Sequence, residues 1–342
     1  MGESTKKMEN TTAKKALKFI GDNIIVFLLL AVAAFVGVTK DNFISMANFN
    51  NLAANTSVRF LIALGVSGCL ITKGTDLSAG RATGLCACLA GVLLQRADYS
   101  GRLFPGLPEF NLVTALIVVL LVGGLIGLFN GFVVSVVKVP PFLATLGTQT
   151  IVYGIALVFT NASPVGGFKE SYTKFCSGKI LSFGGFDGIT YIMIVAIISG
   201  VLFWLLYNKT THGKYMYAIG GNESAAEVSG VNTVRSKMII YTLAGVMYGL
   251  AGYLLAGKSG GAASSLGMGY ELEAIAGATI GGVSTTGGIG TVPGILVGVL
   301  VFELLKIVLQ FLGVNPYYNN IVQGVVIIVA VALDIRKYLA KK

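Results

Sequence analysis

Long apolar runs separated by short polar stretches fill almost the whole chain, and none of the runs holds more than two charged residues. The hydrocarbon core of a bilayer demands roughly 20 mostly apolar residues per helix. Runs near 22–39, 58–73, 78–96, 111–137, 142–160, 189–207, 237–257, 270–284, 290–312 and 318–335 approach or exceed that length. None shows the apolar-polar alternation over about ten residues that a barrel strand needs. Backbone amides in lipid must be satisfied within the segment, so the pattern predicts helices. The expected fold is therefore all-α, a polytopic integral membrane helical bundle of about ten transmembrane helices. Residues 22–335 form the membrane domain between tails at 1–21 and 336–342, with a polar loop at 208–236.

Two runs look irregular. Residues 270–284 are short for a full crossing and lead into the glycine-rich stretch Gly281 to Gly290, and Gly74-Thr75-Asp76-Leu77-Ser78-Ala79-Gly80 interrupts the approach to the third run. Glycine and hydroxyl residues at membrane depth mark broken or re-entrant helices, tolerated where the exposed backbone faces protein or a water-filled cavity.

Composition agrees with this class. The chain has 342 residues, 54% hydrophobic and 12% charged, and its mean hydropathy of +0.80 excludes an ordinary soluble domain. A formal net charge of +10 would raise the question of nucleic acid in a soluble protein. Here the cations gather at Lys6, Lys7, Lys14, Lys15 and Lys18, at Lys209, Lys214, Arg235 and Lys237, and at Arg336, Lys337, Lys341 and Lys342. That is the distribution of cytoplasmic segments, so both termini are expected in the cytoplasm, the number of spans is even, and no nucleic-acid partner is expected. The small residues Ala31 to Ala33 lie inside the first apolar block, which argues against a cleaved signal peptide. Many of the 46 glycines recur at four-residue spacing, as in Gly123, Gly127 and Gly131 or Gly245 and Gly249, an interval that lets helices pack closely.

No catalytic chemistry stands out. Cys69, Cys86 and Cys88 lie in apolar runs and Cys176 in a polar loop, with no disulfide or metal spacing, and His212 lies in a basic loop where solvation is expected. The Gly281 to Gly290 stretch lacks the Gly-Lys-Ser/Thr ending of a phosphate loop. No cofactor is expected, and if ATP drives this protein another chain must bind it.

The loop 208–236 carries the most local information. Asn222 is a good N-cap, Glu223 complements a helix dipole, Ser224, Ala225 and Ala226 continue the turn, and Ser229-Gly230 provides a stop. A helix of about two turns along the membrane surface is predicted, with two exposed alanines of the size that fits a partner's groove; an ordinary connector would read the same way.

This loop, the segment Gly74 to Arg81, Thr145-Leu146-Gly147-Thr148, Ala274-Ile275-Ala276-Gly277 and Gly313-Val314-Asn315-Pro316-Tyr317 together resemble the permease family of bacterial ribose and galactoside ABC importers, over nearly the whole chain. Gly-Thr before Asp76 and Ala-Gly-Arg after Ser78 look more like the galactoside members. The resemblance implies a non-catalytic subunit in the bacterial inner membrane, with Asn222 to Gly230 docking on an ABC ATPase subunit. It also implies an extracytoplasmic sugar-binding protein and a second copy of the chain.

Polar residues that could line a path for a neutral sugar are Asn55, Asp76, Asn130 and Gln149. Asp76 could instead cap the next helix, and the amides could bond between helices. Glu271 and Glu273 are expected at the outer end of a short span, facing a partner or water, and Glu303 and Lys306 share one helix face as an internal pair. An ion-coupled secondary sugar transporter is the competing class, but it should place carboxylates near mid-membrane, where Glu303 is nearly alone.

Overall fold

A computed structural model describes residues 24–180 and 188–339. The N-terminal tail 1–21 with its five lysines, the first residues of the first run, and Lys341 and Lys342 lie outside the described residues. Thirteen helices and one two-residue hairpin occur among those described: α1 (Ile24–Thr39), α2 (Met46–Ile71), α3 (Ala79–Leu93), α4 (Leu112–Ser135), α5 (Pro141–Thr160), α6 (Glu170–Ser177), β1 (Lys179–Ile180), β2 (Ile189–Thr190), α7 (Tyr191–Lys209), α8 (Thr211–Gly221), α9 (Glu223–Val228), α10 (Thr233–Ser259), α11 (Tyr270–Ile280), α12 (Val292–Phe311) and α13 (Pro316–Leu339). Six of them (α2, α4, α5, α7, α10 and α12) are long and apolar enough to cross a membrane alone, and shorter apolar stretches lie in α1, α3 and α13. The chain is a polytopic helical membrane protein, as its pattern predicts.

Caps explain several boundaries. Ser45 Oγ accepts the Asn48 amide at 3.2 Å, which starts α2 twelve residues before the expected run; Asn111 Oδ1 accepts from Thr114 N at 2.7 Å, and Thr291 Oγ1 accepts from Gly294 N at 3.3 Å ahead of Pro293. The early part of α2 is rich in asparagine, so no apolar run announces it.

Helix α10 is the centre of the bundle, packed against α4, α3 and α2. Gly123 and Gly127 of α4 lie against the backbone of Tyr241, Gly245 and Gly249, so closely that a Cβ on Gly127 would run into the Tyr241 carbonyl. Small residues at four-residue spacing thus set the α4–α10 distance. By contrast α5 and α7 expose rows of large apolar side chains, Ile151, Ile155 and Val158 on one, Ile197, Val201 and Leu202 on the other, as a lipid-facing helix does.

The irregular run is a half-crossing. With 11 residues, α11 spans about 16 Å, half the hydrocarbon thickness. It starts at depth: its first turn meets Arg59, near the midpoint of the 26-residue α2. The chain reaches that depth through Gly267 and Gly269, both at φ +82°, and Gly267 and Leu266 pack over Gly80 and Gly84 of α3, where any side chain would strike their carbonyls. Gly281 and Gly282 end the half-helix and residues 283–291 turn the chain into α12. Glu271 and Glu273 are consequently not at the outer end of a span, as expected, but buried at mid-height. The length of an apolar run does not tell how deep in the bilayer it begins.

Candidate coupling unit and polar core

Helices α8 and α9 form one polar unit at one end of the bundle. Thr210 Oγ1 caps α8 by accepting from Gly213 N at 3.1 Å, and Asn222 Oδ1 caps α9 by accepting from Ala225 N at 3.0 Å. Glu223 pairs with Lys237 at 2.6 Å, and Thr233 donates to Glu227 at 2.6 Å, so both ends of α9 are tied to the start of α10. Ser229 Oγ donates to the Ala225 carbonyl at 2.8 Å, and Gly230 ends the turn at φ +86°. The expectation of two exposed alanines needs correction. Ala225 is exposed, but Ala226 is 5% exposed and faces inward. The apolar knob is Val228, 92% exposed, which alanine-based reasoning overlooked. His212 also differs from its expected solvation: it is half-buried, and its Nε2 has no hydrogen-bond partner among the described residues.

The unit is fastened to the membrane domain. Lys73 Nζ donates to the Gly221 carbonyl at 3.0 Å, Tyr217 Oη to the Gly290 carbonyl at 2.7 Å, and Gly288 N to the Ile71 carbonyl at 2.8 Å. The glycine run therefore lies between α8 and the end of α2. Gly220 packs so tightly on Ile71 and Gly288 that no side chain fits.

Of the candidate path residues, the structure joins two. Asp76, fully buried, accepts from Ser78 N at 2.9 Å and Ser78 Oγ at 2.6 Å with one carboxylate oxygen, and from Tyr248 Oη at 3.0 Å with the other. Asn130 Nδ2 donates to Ser78 Oγ at 2.8 Å, and Thr145 Oγ1 bridges the Leu77 amide and the Thr75 carbonyl. The carboxylate thus fixes the extended segment before α3 and ties it to α4, α5 and α10. Asn55 lies elsewhere, half-buried on α2, and accepts from Lys258. Gln149 is half-buried on α5 and apart from both.

A third cluster was not foreseen as one. Arg59 Nε lies 2.8 Å from Glu273 and 3.0 Å from Glu303, while Lys306 lies 2.5 Å from Glu273 and 3.6 Å from Glu303. Two cations and two carboxylates, none more than 14% exposed, thereby clamp α2, α11 and α12 together, with the Arg59 guanidinium 4.7 Å above the Tyr270 ring. Only the Glu303–Lys306 edge, three residues apart on one helix, was visible in the sequence.

Residues 48–331 match the family described as branched-chain amino acid transport system / permease component. Over 96% of its length the chain is 43% identical to the galactose/methyl galactoside import permease protein of Haemophilus influenzae, covering 98% of that protein. The chain belongs to this permease family. It is also 42% identical to the galactose/methyl galactoside import permease protein of Escherichia coli K12, over 98% of this chain and all of that one. The ribose import permease protein of Bacillus subtilis is 35% identical over 93% of each chain. No solved structure matches. The family expected from the motifs is the right one, and the galactoside-type permeases match more closely than the ribose-type one named here.

Proposed function

We propose that this permease is the membrane-spanning subunit of an ATP-binding-cassette importer for a monosaccharide, galactose or a methyl galactoside, in a bacterial inner membrane. End-to-end identity with galactoside import permeases carries the reading. ATP binding and hydrolysis belong to a separate ABC ATPase subunit docked on α9, an extracytoplasmic binding protein delivers the sugar at the opposite end, and a second copy of the chain completes the path. Both termini and the α8–α9 unit then face the cytoplasm, with Asn222 to Gly230 as the coupling contact and Asn55, Asp76, Asn130 and Gln149 as polar positions along or beside the path. Closure of the ATPase dimer pushes α9, and the push opens the path to the docked binding protein. Pairing of Glu273 and Glu303 with Arg59 and Lys306 disfavours an ion-coupled secondary carrier, whose carboxylates must exchange their ion.

Proteoliposomes holding the permease, ATPase and binding protein should take up labelled galactose only with ATP inside the reaction compartment and all three chains present. Collapse of the proton gradient should leave that uptake intact. Uptake by the permease alone, driven by a pH gradient, would establish the secondary carrier instead.

A further inference from the structure

Arg81 carries more hydrogen-bond donors than its packing contacts use. It projects from the start of α3, and its guanidinium carbon lies 4.0 Å from the centre of the Tyr153 ring, near the midpoint of the 20-residue α5. That places a full positive charge near mid-bilayer. Among the described residues its one hydrogen bond to protein is from Nη1 to the Ser264 carbonyl at 3.3 Å, in the loop that leads to the half-helix α11. A guanidinium has five N–H donors, and no other described residue accepts from them. The nearby Glu271 carboxylate interacts with its charge but forms no ion pair with it, and among the described residues Glu271 Oε2 has no hydrogen-bond partner despite burial of the residue to 7% exposure. Arg81 itself is only half-buried.

An arginine with free donors does not face hydrocarbon; at this depth such a group faces protein or water. The flanks of α5 show which. Ile151, Ile155 and Val158, each at least half exposed, make one flank wholly apolar. Gln149 and Tyr153, one helical turn apart and both half-buried, make the other, and it is this flank that Arg81 covers. One side of α5 is therefore built for lipid and the other for a polar medium. Donors from a guanidinium and a carboxamide, next to an aromatic ring, are the groups that recognise the hydroxyls and the C–H face of a neutral pyranose.

We infer that Arg81, stacked on Tyr153 with Gln149 a turn away, forms a polar wall of the sugar path and donates hydrogen bonds to sugar hydroxyls as the sugar passes mid-membrane. This rests on the sugar-import reading above. Arg81 also anchors the tip of the re-entrant loop through Ser264, so the wall moves when α11 moves.

Single-cysteine variants test the wall independently of transport. The four native cysteines are buried, so background modification is low. In the assembled importer, Gln149→Cys and Tyr153→Cys should react with a charged, water-soluble methanethiosulfonate far faster than Ile151→Cys and Ile155→Cys. Equal rates on the two flanks would overturn the inference. In the uptake assay Arg81→Gln should lower galactose uptake at limiting sugar about tenfold, with Arg81→Lys intermediate because it keeps the charge and loses the fork. Normal uptake by Arg81→Gln would also overturn it. If the unmodified importer takes up no galactose, the sugar-import reading fails, and the cysteine pattern still decides whether this flank meets water.

Discussion

Burial of the His212 ring beside Tyr207 and Met216, with Nε2 unpartnered, pushes its imidazole below the ordinary value of 6.5. The unfolded chain then binds a proton more readily than the folded one, so the α8 region loses stability as pH falls through and below 6.5 and is unaffected above it. Relative to the intrinsic, base-catalysed exchange rate, protection of the α8 amides should therefore fall between about pH 7.5 and 5.5, and His212→Gln should remove that fall. The Arg59 cluster gives a contrast in magnitude. Glu273 accepts from two buried cations, and Glu273→Gln leaves them facing each other with Glu303 alone, a loss on the order of 3–5 kcal/mol. Glu109, which pairs with Lys169 while 57% exposed, should be nearly dispensable. In detergent, the thermal midpoint of Glu273→Gln should fall well below that of Glu109→Gln; equal midpoints would show that the cluster does not hold α2, α11 and α12 together.

At the scale of elements, α9 offers a test of coupling that touches no span. Ala226→Pro removes the amide that bonds to Asn222 O at 3.0 Å and unseats the inward face, at a cost of about 3 kcal/mol or more of local helix stability. Ala225→Asp and Val228→Asp leave the fold alone and place a carboxylate on the exposed face. All three should insert normally, and all three should lose binding-protein-stimulated ATP hydrolysis and sugar uptake together. If Ala225→Asp and Val228→Asp transport at the normal rate, α9 is only a connector. These helices also show what a sequence can and cannot carry. Spans such as α4 and α10 are legible because lipid demands apolar residues in number, and the Asn222 cap and Gly230 stop are legible because they act within one turn. Helix α8 and the first half of α2 lack apolar periodicity and were missed. The depth of α11 was not legible, because it is set by glycines of α3 packing against residues more than 180 positions away. For the same reason the Arg59–Glu273 pair, 214 residues apart, could not be read while Glu303–Lys306 could.

At the scale of the whole molecule, the proposed orientation and the proposed coupling share one arrangement. Reporters placed after Lys342 and near Lys214 should both report cytoplasm and one near Lys174 the outside; a cytoplasmic result at Lys174 would overturn the proposed topology. In the proposed importer, transmission has a defined route. The α8–α9 unit bears on the end of α2 and on the glycine run through Lys73, Gly288 and Tyr217, the glycine run continues into α11 and α12, and the buried charges join the far end of α11 back to α2. In the proposed importer a displacement of α9 reaches mid-membrane through contiguous packed backbone, by way of a section in which Gly282, Gly287 and Gly288 all take positive φ. Tyr217 is the side chain whose removal cuts this route most cleanly, since its hydroxyl reaches the Gly290 carbonyl without supporting a span. Tyr217→Phe keeps the ring and its edge contact with Tyr207 and deletes only that bond. The ATPase should bind this variant as before. Sugar imported per ATP hydrolysed should fall several-fold, because the nucleotide cycle proceeds while the half-helix follows it incompletely, a coupling loss in the range of about 1 kcal/mol that one neutral hydrogen bond supplies. An unchanged ratio of sugar to ATP would place the transmission route elsewhere, along α10 rather than through the glycine run.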